Sequence, residues 1–558
     1  MTPRADHAPG NRWPAGPPAD GLVRMASWDI LDPAWATRLL DEHAPDWFAL
    51  DDDPAADRVK HNALRSVYRA TVGDRVVFVK VYDQSKVADV ARRLVRGDPA
   101  RREVASAAYA ARHGVPCVRF VGWGRGRDAS IRHRSVSVSP VVENQGTLAE
   151  VFATRDAAGA RAGQLTDTAL IDACAKLLAA AHDGGFLHPD NHAGNILVQT
   201  CDQTPRCLYV DVYGARCGVA VSERDVAANL APLAHWLSRR CTRSQVYRGL
   251  VRYARYRDDW AGRSARKRLA RMILSRARRH AHRLYRKRDR RIGRRNAYFA
   301  RLDLHDNWRA WITLRYRTVT GRSARSGETG CSDVHLARLG ERFLARDAGA
   351  RHPVLVDGPD TERFFPAGLL ESLCWRWTSP PWRRYRGSLW VMNRDLPVVA
   401  GWAYLEQRDG GRVSQAAWIR TAYSGGQPLG DWLTDHTGGT AHRRLLEKIG
   451  RLLADTFERG LIPRNLARLP VAVVSGQDGS PQPIWSGVEV ARVAKPAGAS
   501  ARRFALAPAA AEAAVLSRLS LARIARAYCR AATTGKAPRS AWRELMRLGD
   551  HQLDEPDS

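Results

Sequence analysis

The fold of this chain is decided by one stretch and its continuation. The stretch reads Gly185-Phe186-Leu187-His188-Pro189-Asp190-Asn191-His192-Ala193-Gly194-Asn195-Ile196-Leu197-Val198, and a short polar segment later the chain continues Tyr209-Val210-Asp211-Val212-Tyr213-Gly214. Two apolar runs joined by a polar turn predict two β-strands. Polar side chains flank them: an Asp precedes an Asn by five positions, and a second Asp ends the second strand.

These polar residues have the types and spacing that phosphoryl transfer requires. Asp190 is predicted to lie on a loop facing a cleft, where it orients an acceptor hydroxyl and takes its proton. Asn195 and Asp211 are predicted to bind Mg²⁺, a hard cation that prefers oxygen ligands. His188 and His192 are interpreted as hydrogen-bonding residues of the loop.

A lysine and a glutamate upstream extend the pattern. Residues 66–71 and 75–82 are β-rich runs separated by a turn, and Lys80 lies inside the second run between apolar neighbours. A lysine there is unusual unless its ammonium meets an anion, so Lys80 is predicted to bind the phosphates of ATP. Glu103, in a predicted helix over 99–113, is its expected partner. The alternatives are an edge-strand lysine and a solvated helix carboxylate.

Further elements follow from periodicity. The sequence predicts helices over 32–43, 87–96 and 166–182, and strands over 115–122 and 135–142. The loop that begins at Glu143 is expected to pass between two lobes and to offer backbone groups to adenine.

These motifs resemble those of the bacterial lipopolysaccharide kinase family, which includes the Kdo kinases and core heptose kinases. The resemblance rests on His188-x-Asp190-x-x-x-x-Asn195-Ile196-Leu197 followed by Val210-Asp211, and it covers about residues 60–220. It implies an α+β, protein-kinase-like bilobal fold. It also implies ATP- and Mg²⁺-dependent phosphorylation of a sugar hydroxyl in the lipid A–core region.

Composition constrains partners and location. The 558 residues carry a formal charge of +32, which favours anionic partners such as nucleotides, phosphorylated glycans, anionic membranes or nucleic acid. No apolar run is long enough to span a membrane, and the N-terminus lacks a secretory pattern. We therefore expect a cytoplasmic protein, and peripheral attachment to the inner face of the cytoplasmic membrane is an open interpretation.

The segment 263–295 is densely basic, and apolar residues recur in it every three to four positions. This pattern predicts a basic amphipathic helix. A solvated helix face and binding to an anionic membrane or phosphorylated glycolipid are both open interpretations. Nucleic-acid binding is the least favoured, because no recognised nucleic-acid module accompanies the segment.

The second half of the chain repeats the first in a diverged form. Residues 99–116 align without a gap onto 380–397, and 185–191 align onto 460–465 with one residue fewer. A tandem copy is therefore predicted, the alternative being an unrelated α/β domain. The predicted boundaries are a disordered tail 1–21, a first domain 22–295 (lobes about 22–143 and 144–295), a second domain 296–535 and a tail 536–558.

The second copy has lost the chemistry of the first. Arg384, Arg464, Leu469 and Gly487 stand where Glu103, Asp190, Asn195 and Asp211 stand in the first copy. An arginine cannot act as a base at neutral pH, because its pKa lies above about 12. The second half is therefore predicted to be a pseudokinase.

The leading functional hypothesis is a kinase that phosphorylates a sugar of lipopolysaccharide core or a related glycolipid. The alternatives are a kinase acting on a protein or small molecule, and a non-catalytic kinase-fold scaffold. The sequence leaves the acceptor and the oligomeric state open.

Overall fold

A computed structural model gives the architecture, and it describes twenty segments of the chain. These are residues 26–30, 35, 46–61, 65–85, 87–126, 130–158, 167–201, 204–260, 262–296, 298–304, 306–317, 323–325, 344–345, 354–355, 361–375, 379–420, 426–463, 470–476, 479–493 and 518–531. The predicted terminal tails, and the predicted helix 32–43 apart from residue 35, lie outside them. Two compact units divide the chain, 1–280 and 281–558, whereas the sequence analysis had set the boundary after residue 295.

The first unit combines an antiparallel sheet with a set of helices. Its strands are β1 (Ala26–Ile30), β2 (Ala56–His61), β3 (Arg65–Val72), β4 (Arg75–Asp83), β5 (Gly122–Gly126), β6 (Arg134–Pro140), β7 (Ile196–Cys201) and β8 (Thr204–Tyr209). Its helices are α1 (Val87–Arg96), α2 (Pro99–Arg112), α3 (Leu148–Ala158), α4 (Asp167–Asp183), α5 (Glu223–Leu237), α6 (Arg243–Arg255) and the first part of α7 (Arg263–Asp289). The predicted β3–β4 hairpin and helices α1, α2 and α4 are confirmed.

One strand prediction was wrong. Residues 115–120 are not part of the sheet. The N–H of Val121 donates to the carbonyl of Val138 in β6 at 2.9 Å, and the strand begins at Gly122. The reason is that this segment bonds to β8 instead: Tyr209 donates its N–H to the carbonyl of Pro116, and its carbonyl accepts from the N–H of Val118. The segment therefore ties the sheet to the helical part of the unit.

Strand β4 shows how the sheet positions charged residues. The sheet has the order β1-β5-β6-β4-β3-β2, and β4 lies between β6 and β3. Alternate residues Val77, Val79 and Val81 are buried in the sheet's apolar core. Because successive side chains of a strand point to opposite faces, Lys80 and Tyr82 lie on one face and the three valines on the other.

The hairpin β7–β8 is held by the helical core. Its buried residues Ile196, Val198 and Tyr209 pack in one cluster with Leu170 and Leu177 of α4. The loop before β7 and the loop after β8 are thereby fixed next to each other. The backbone carbonyl of Asn195 also accepts a hydrogen bond from the N–H of Val210, at 3.0 Å.

The second unit again joins a sheet to helices. Its strands are β9 (Phe299–Asp303), β10 (Trp308–Thr313), β11 (Arg315–Arg317), β12 (Ser323–Arg325), β13 (Leu344–Ala345), β14 (Val354–Leu355), β15 (Thr361–Phe364), β16 (Gly401–Asp409), β17 (Arg412–Arg420), β18 (Gln427–Pro428), β19 (Leu461–Pro463), β20 (Val471–Ser475), β21 (Pro481–Trp485) and β22 (Val490–Val493). Its helices after α7 are α8 (Leu369–Leu373), α9 (Pro380–Asn393), α10 (Leu429–Asp435), α11 (Gly439–Glu458) and α12 (Arg518–Ala531). Every helix in the described part of the chain is too short or too polar to cross a bilayer.

The main sheets of the two units have corresponding pairings. The second sheet has the order β15-β17-β16-β10-β9, which matches β4-β6-β5-β1 of the first for four strands. Trp123 lies opposite Ser137 in the first unit, and Tyr404 lies opposite Trp418 in the second. Both residues of the second pair carry numbers 281 higher than those of the first. The gap-free alignment of 99–116 with 380–397 has the same offset.

The smaller pairings correspond as well. Cys117 bridges Tyr209 in parallel in the first unit, as Val398 bridges Trp485 in the second. The antiparallel bridge between Leu187 and Arg216 has its counterpart in the pairing of Ile462 with Arg492 within β19 and β22. The two units thus share the order and register of these elements.

Candidate active site

The site is built around a buried carboxylate. Glu103 on α2 is fully buried and forms an ion pair with Lys80 of β4. The hydroxyl of Tyr82 donates a hydrogen bond to the same carboxylate at 2.5 Å, and the hydroxyl of Ser137 in β6 donates one at 3.4 Å. Burial and the nearby Glu103 charge raise the pKa of Tyr82 well above its usual value. Its hydroxyl therefore stays protonated and keeps donating to Glu103.

Asp211 lies within reach of the same lysine. Its carboxylate is 3.7 Å from Nζ of Lys80, and its backbone has a φ of 57°, in the left-handed region. Arg65 at the start of β3 donates from both terminal nitrogens to the two carboxylate oxygens, each at 2.5 Å. Burial opposes ionisation of Asp211, but Arg65 and Lys80 outweigh it and hold the pKa of Asp211 well below its usual range.

Asp190 is the exposed acid of the site. Its side chain is 68% accessible, and Nε2 of His192 lies 3.4 Å from one carboxylate oxygen. The interaction with His192 lowers the pKa of Asp190 below its ordinary value, so the carboxylate is ionised at neutral pH. Asn195 is buried and donates from Nδ2 to the carbonyl of Asp190 at 2.9 Å, which leaves its amide oxygen as the atom that can accept.

His188 shapes the loop that carries Asp190. Its Nε2 donates to the carbonyl of Val210 at 3.0 Å, and its Nδ1 accepts from the N–H of Asp190 at 3.2 Å. Burial lowers the pKa of His188, so the ring is neutral at neutral pH. This histidine links the chain before Asp190 to the chain before Asp211.

A buried network anchors the same loop from below. His182 of α4 is 2% exposed. It accepts a hydrogen bond from the Tyr253 hydroxyl at 2.7 Å and donates one to the Asn229 side chain at 3.1 Å. Asn229 in turn donates to the carbonyl of His188 at 2.7 Å, and Asn191 donates to Asn229 at 3.0 Å. Three helices thereby hold the Asp190 loop through one neutral imidazole.

The structure brings most of the predicted site residues together. Lys80, Glu103 and Asp211 form one chain of charges, and Asp190 and Asn195 share the loop beside Asp211. Glu143 lies on an exposed segment after β6. Its carbonyl accepts a hydrogen bond from Gln199 at 3.0 Å. In the described part of the chain, no hydrogen bond or ion pair joins Glu143 to the other predicted site residues.

Several residues of the site were missed from the sequence. Tyr82 could have been found, because it lies two positions after Lys80 and so on the same strand face. Asn229 and Arg65 had no such signal. Arg65 is 146 positions from Asp211, and nothing in its neighbourhood separates it from the many other arginines.

The donors fit a divalent cation that binds through oxygen. The amide oxygen of Asn195 and the carboxylate of Asp211 are hard ligands of the kind that Mg²⁺ takes together with phosphate oxygens. Arg65 and Lys80 already form ion pairs with Asp211, so this carboxylate lies where positive charge is stabilised.

The equivalent positions of the second unit hold different chemistry. Glu362 occupies the register position of Lys80, since it lies opposite Trp418 as Lys80 lies opposite Ser137. Arg384, at the position of Glu103, pairs with Glu489 at 3.3 Å. Residues 464–469, which include the predicted counterparts of Asp190 and Asn195, lie outside the described residues.

A tryptophan fills the corresponding space in that unit. Trp418 is 1% exposed, and its ring lies 3.9 Å from the point where a side chain at Gly487 would begin. The Arg384 side chain lies 4.0 Å from the same point. Trp418 and Arg384 therefore both lie next to Gly487.

Comparisons with known proteins found partial structural likenesses. The solved structure "WaaP in complex with acyl carrier protein" matches 45% of this chain and 98% of its own, with 21% identity and a TM-score of 0.33. The "Crystal structure of BubR1 kinase domain" matches 28% of this chain and 46% of its own, with 13% identity and a TM-score of 0.20. No protein-family model and no curated protein sequence matches the chain.

We predict that His182 makes the Asp190 loop sensitive to acid. Burial lowers the pKa of His182 to about 4, whereas an unfolded histidine titrates near 6.5. Between these two pH values the unfolded chain binds a proton that the native imidazole does not. The unfolding free energy therefore decreases as the pH is lowered, by up to about 3 kcal/mol at pH 4. Urea-dependent hydrogen exchange on peptides from 182–198 measures this loss. His182→Gln should flatten the pH dependence, and an unchanged slope would contradict the assignment.

We also predict that Arg65 stabilises the first unit through Asp211. Arg65→Ala should lower the unfolding free energy by about 1–3 kcal/mol at pH 7, because a half-buried carboxylate loses a bidentate partner. Since the folded pKa of Asp211 is depressed, this contribution is present above pH 4 and disappears as the pH falls through the folded pKa. Hydrogen exchange on peptides from 204–216 reports it. Arg69→Ala, an exposed arginine on the same strand, is the control, and equal effects of the two would refute the prediction.

Proposed function

We propose that the first unit is a kinase that transfers the γ-phosphate of ATP, with Mg²⁺, to a sugar hydroxyl of lipopolysaccharide core or a related glycolipid. The observation that carries this proposal is the chain of charges from Glu103 through Lys80 to Asp211. It joins a helix, a strand and a loop that are far apart in sequence. Phosphotransferases of this type need such a lysine, held by a glutamate, beside a metal-binding aspartate.

Each residue then has a role. Lys80, positioned by Glu103, contacts phosphate oxygens of the nucleotide. Asn195 and Asp211 would hold Mg²⁺, and the metal would neutralise charge on the phosphates. Glu143 belongs to the segment that contacts adenine through its backbone. Arg65 occupies both oxygens of the Asp211 carboxylate, so it would compete with a cation for this carboxylate.

Asp190 handles the proton of the acceptor. It accepts the hydroxyl proton while the acceptor oxygen forms a bond to the γ-phosphorus and the bond from that phosphorus to the β,γ-bridging oxygen breaks, releasing ADP. Its exposure suits a group that must reach an incoming acceptor, and its lowered pKa keeps it ionised. His192 orients the carboxylate.

The acceptor class rests on the motif resemblance to lipopolysaccharide kinases. Pro189 precedes Asp190, in the place where protein kinases regulated by activation-loop phosphorylation carry an arginine. A lipid-linked acceptor would place the enzyme at the inner face of the cytoplasmic membrane. The basic segment 263–295 is suited to contact an anionic surface there.

The test is phosphate transfer from radiolabelled ATP to purified core glycolipid. Asp190→Asn should lower the transfer rate by about 10²–10⁴-fold, the usual contribution of a general base. Asp57→Asn, which alters an exposed acid on β2, should leave the rate unchanged. Equal rates for wild type and Asp190→Asn would reject the kinase proposal, and transfer only to protein or small-molecule acceptors would reject the glycolipid.

We further propose that the second unit is a diverged, catalytically silent copy of the first. The shared register and sheet order support common ancestry of the two units. Arg384, Gly487 and the buried Trp418 lie where a nucleotide-binding copy needs its glutamate, its aspartate and open space. A scaffolding or acceptor-positioning role remains for such a domain.

This proposal predicts one nucleotide site per chain. Isothermal titration with Mg²⁺ and a non-hydrolysable ATP analogue should give a stoichiometry of about one, because only the first unit has the ligands. Lys80→Ala and Asp211→Asn, each checked for folding by thermal melting, should abolish the binding, and Trp418→Phe should preserve it. A second site that survives in the Lys80 and Asp211 variants would overturn the proposal.

A further inference from the structure

A strongly basic cleft lies at the start of the second unit, where α7 ends and the chain turns. Its volume is about 550 Å³. The lining residues are Arg283, Arg286, Lys287, Arg290, Arg291, Arg294, Arg295 and Asn296. Seven of the eight are cations contributed by fourteen consecutive residues.

The inner face of this helix end is firmly held. Arg394, 1% exposed, donates to both carboxylate oxygens of Asp289, at 2.9 and 3.2 Å, and its guanidinium lies 4.9 Å from the ring centroid of Tyr285. Asn393 donates to Asp289 as well, at 3.0 Å. Asp289 is the one acid of residues 263–295, and it is engaged on the inner face.

The outer face and the turn form the two walls of the cleft. Arg283, Arg286, Lys287 and Arg290 are spaced i, i+3, i+4, i+7, so they share one helix face. Gly293 then takes a φ of 76°, which turns the chain back. Asn296 fixes the turn by donating to the carbonyls of Arg291 and Arg294, at 2.9 and 2.8 Å.

Most of the cations of the cleft have no carboxylate partner in the described part of the chain. In the described part of the chain, no ion pair to a carboxylate is formed by Arg283, Arg286, Lys287, Arg290 or Arg294. Like charges held this close repel one another, so an anion that bridges them would be strongly favoured. Guanidinium groups bind phosphate with two parallel hydrogen bonds, which suits arginine-lined sites to this group.

We propose that this cleft binds a compact anion that carries two or more phosphate groups. Its volume is within the range of small-ligand sites, and its residues converge on a concave space. A nucleic-acid backbone would instead require an extended basic track. The phosphates could belong to a lipid headgroup or to a soluble molecule. This inference stands apart from the proposed kinase activity, because it concerns binding by a different unit.

The test measures binding to the full chain. By isothermal titration, pyrophosphate should bind more tightly than inorganic phosphate, because two phosphate groups reach both walls of the cleft. Arg286→Ala/Arg290→Ala should weaken pyrophosphate binding by at least about tenfold, since charge-assisted bonds are lost. Arg271→Ala/Arg279→Ala removes the same charge from exposed positions of α7 outside the cleft and should change the affinity by less than about threefold.

Vesicles identify the source of the phosphates. Phosphatidylcholine vesicles are prepared with diphosphorylated lipid A or, at matched charge, with phosphatidylglycerol. Stronger binding to the lipid A vesicles, lost in Arg286→Ala/Arg290→Ala, would support a lipid-borne ligand, and binding of pyrophosphate without such a preference would support a soluble one. Equal weakening by the two double variants, or equal affinity for phosphate and pyrophosphate, would overturn the proposal. These binding measurements contain neither ATP nor acceptor, so their outcome does not depend on whether the chain transfers phosphate.

Discussion

The structure of the first unit depends on the buried charge of Glu103. A carboxylate with no exposure to water is tolerated only when it is paired and hydrogen-bonded, and Lys80, Tyr82 and Ser137 together meet that requirement. Because these three partners lie on β4 and β6, the requirement fixes α2 against one face of the sheet. Lys80 is thereby held where its ammonium also reaches Asp211.

The second unit joins its sheet to helix α9 through different contacts. Arg384 of α9 pairs with Glu489 at 3.3 Å. Trp418 fills the adjacent space with apolar volume. Aromatic packing, which includes Trp382 and Tyr385 of α9 and Tyr404 of β16, therefore contributes to the contact between this sheet and its helix.

Much of the fold could be predicted, because local patterns determine it. Alternation in β4 and helical spacing in α4 are visible in the sequence, and so is the lysine between apolar neighbours. The sequence predicts residues 115–120 as part of a sheet strand because β-rich composition does not reveal which partner the backbone bonds to. Arg65 and the network around His182 could not be predicted, since they join residues that only tertiary packing brings together.

Backbone conformation and side-chain chemistry are separable at the turns of the two units. Asp211 and its counterpart Gly487 both have positive φ, as do Gly114 and its counterpart Asp395. The turn is kept in each pair while the residue type changes, and an aspartate in the left-handed region costs about 1 kcal/mol more than glycine. Each of the two aspartates faces an arginine, Arg65 at 2.5 Å and Arg288 at 3.8 Å. Each aspartate therefore stands where its carboxylate has a cation to pair with. At position 487 the neighbouring Arg384 already pairs with Glu489, and the turn is made by glycine.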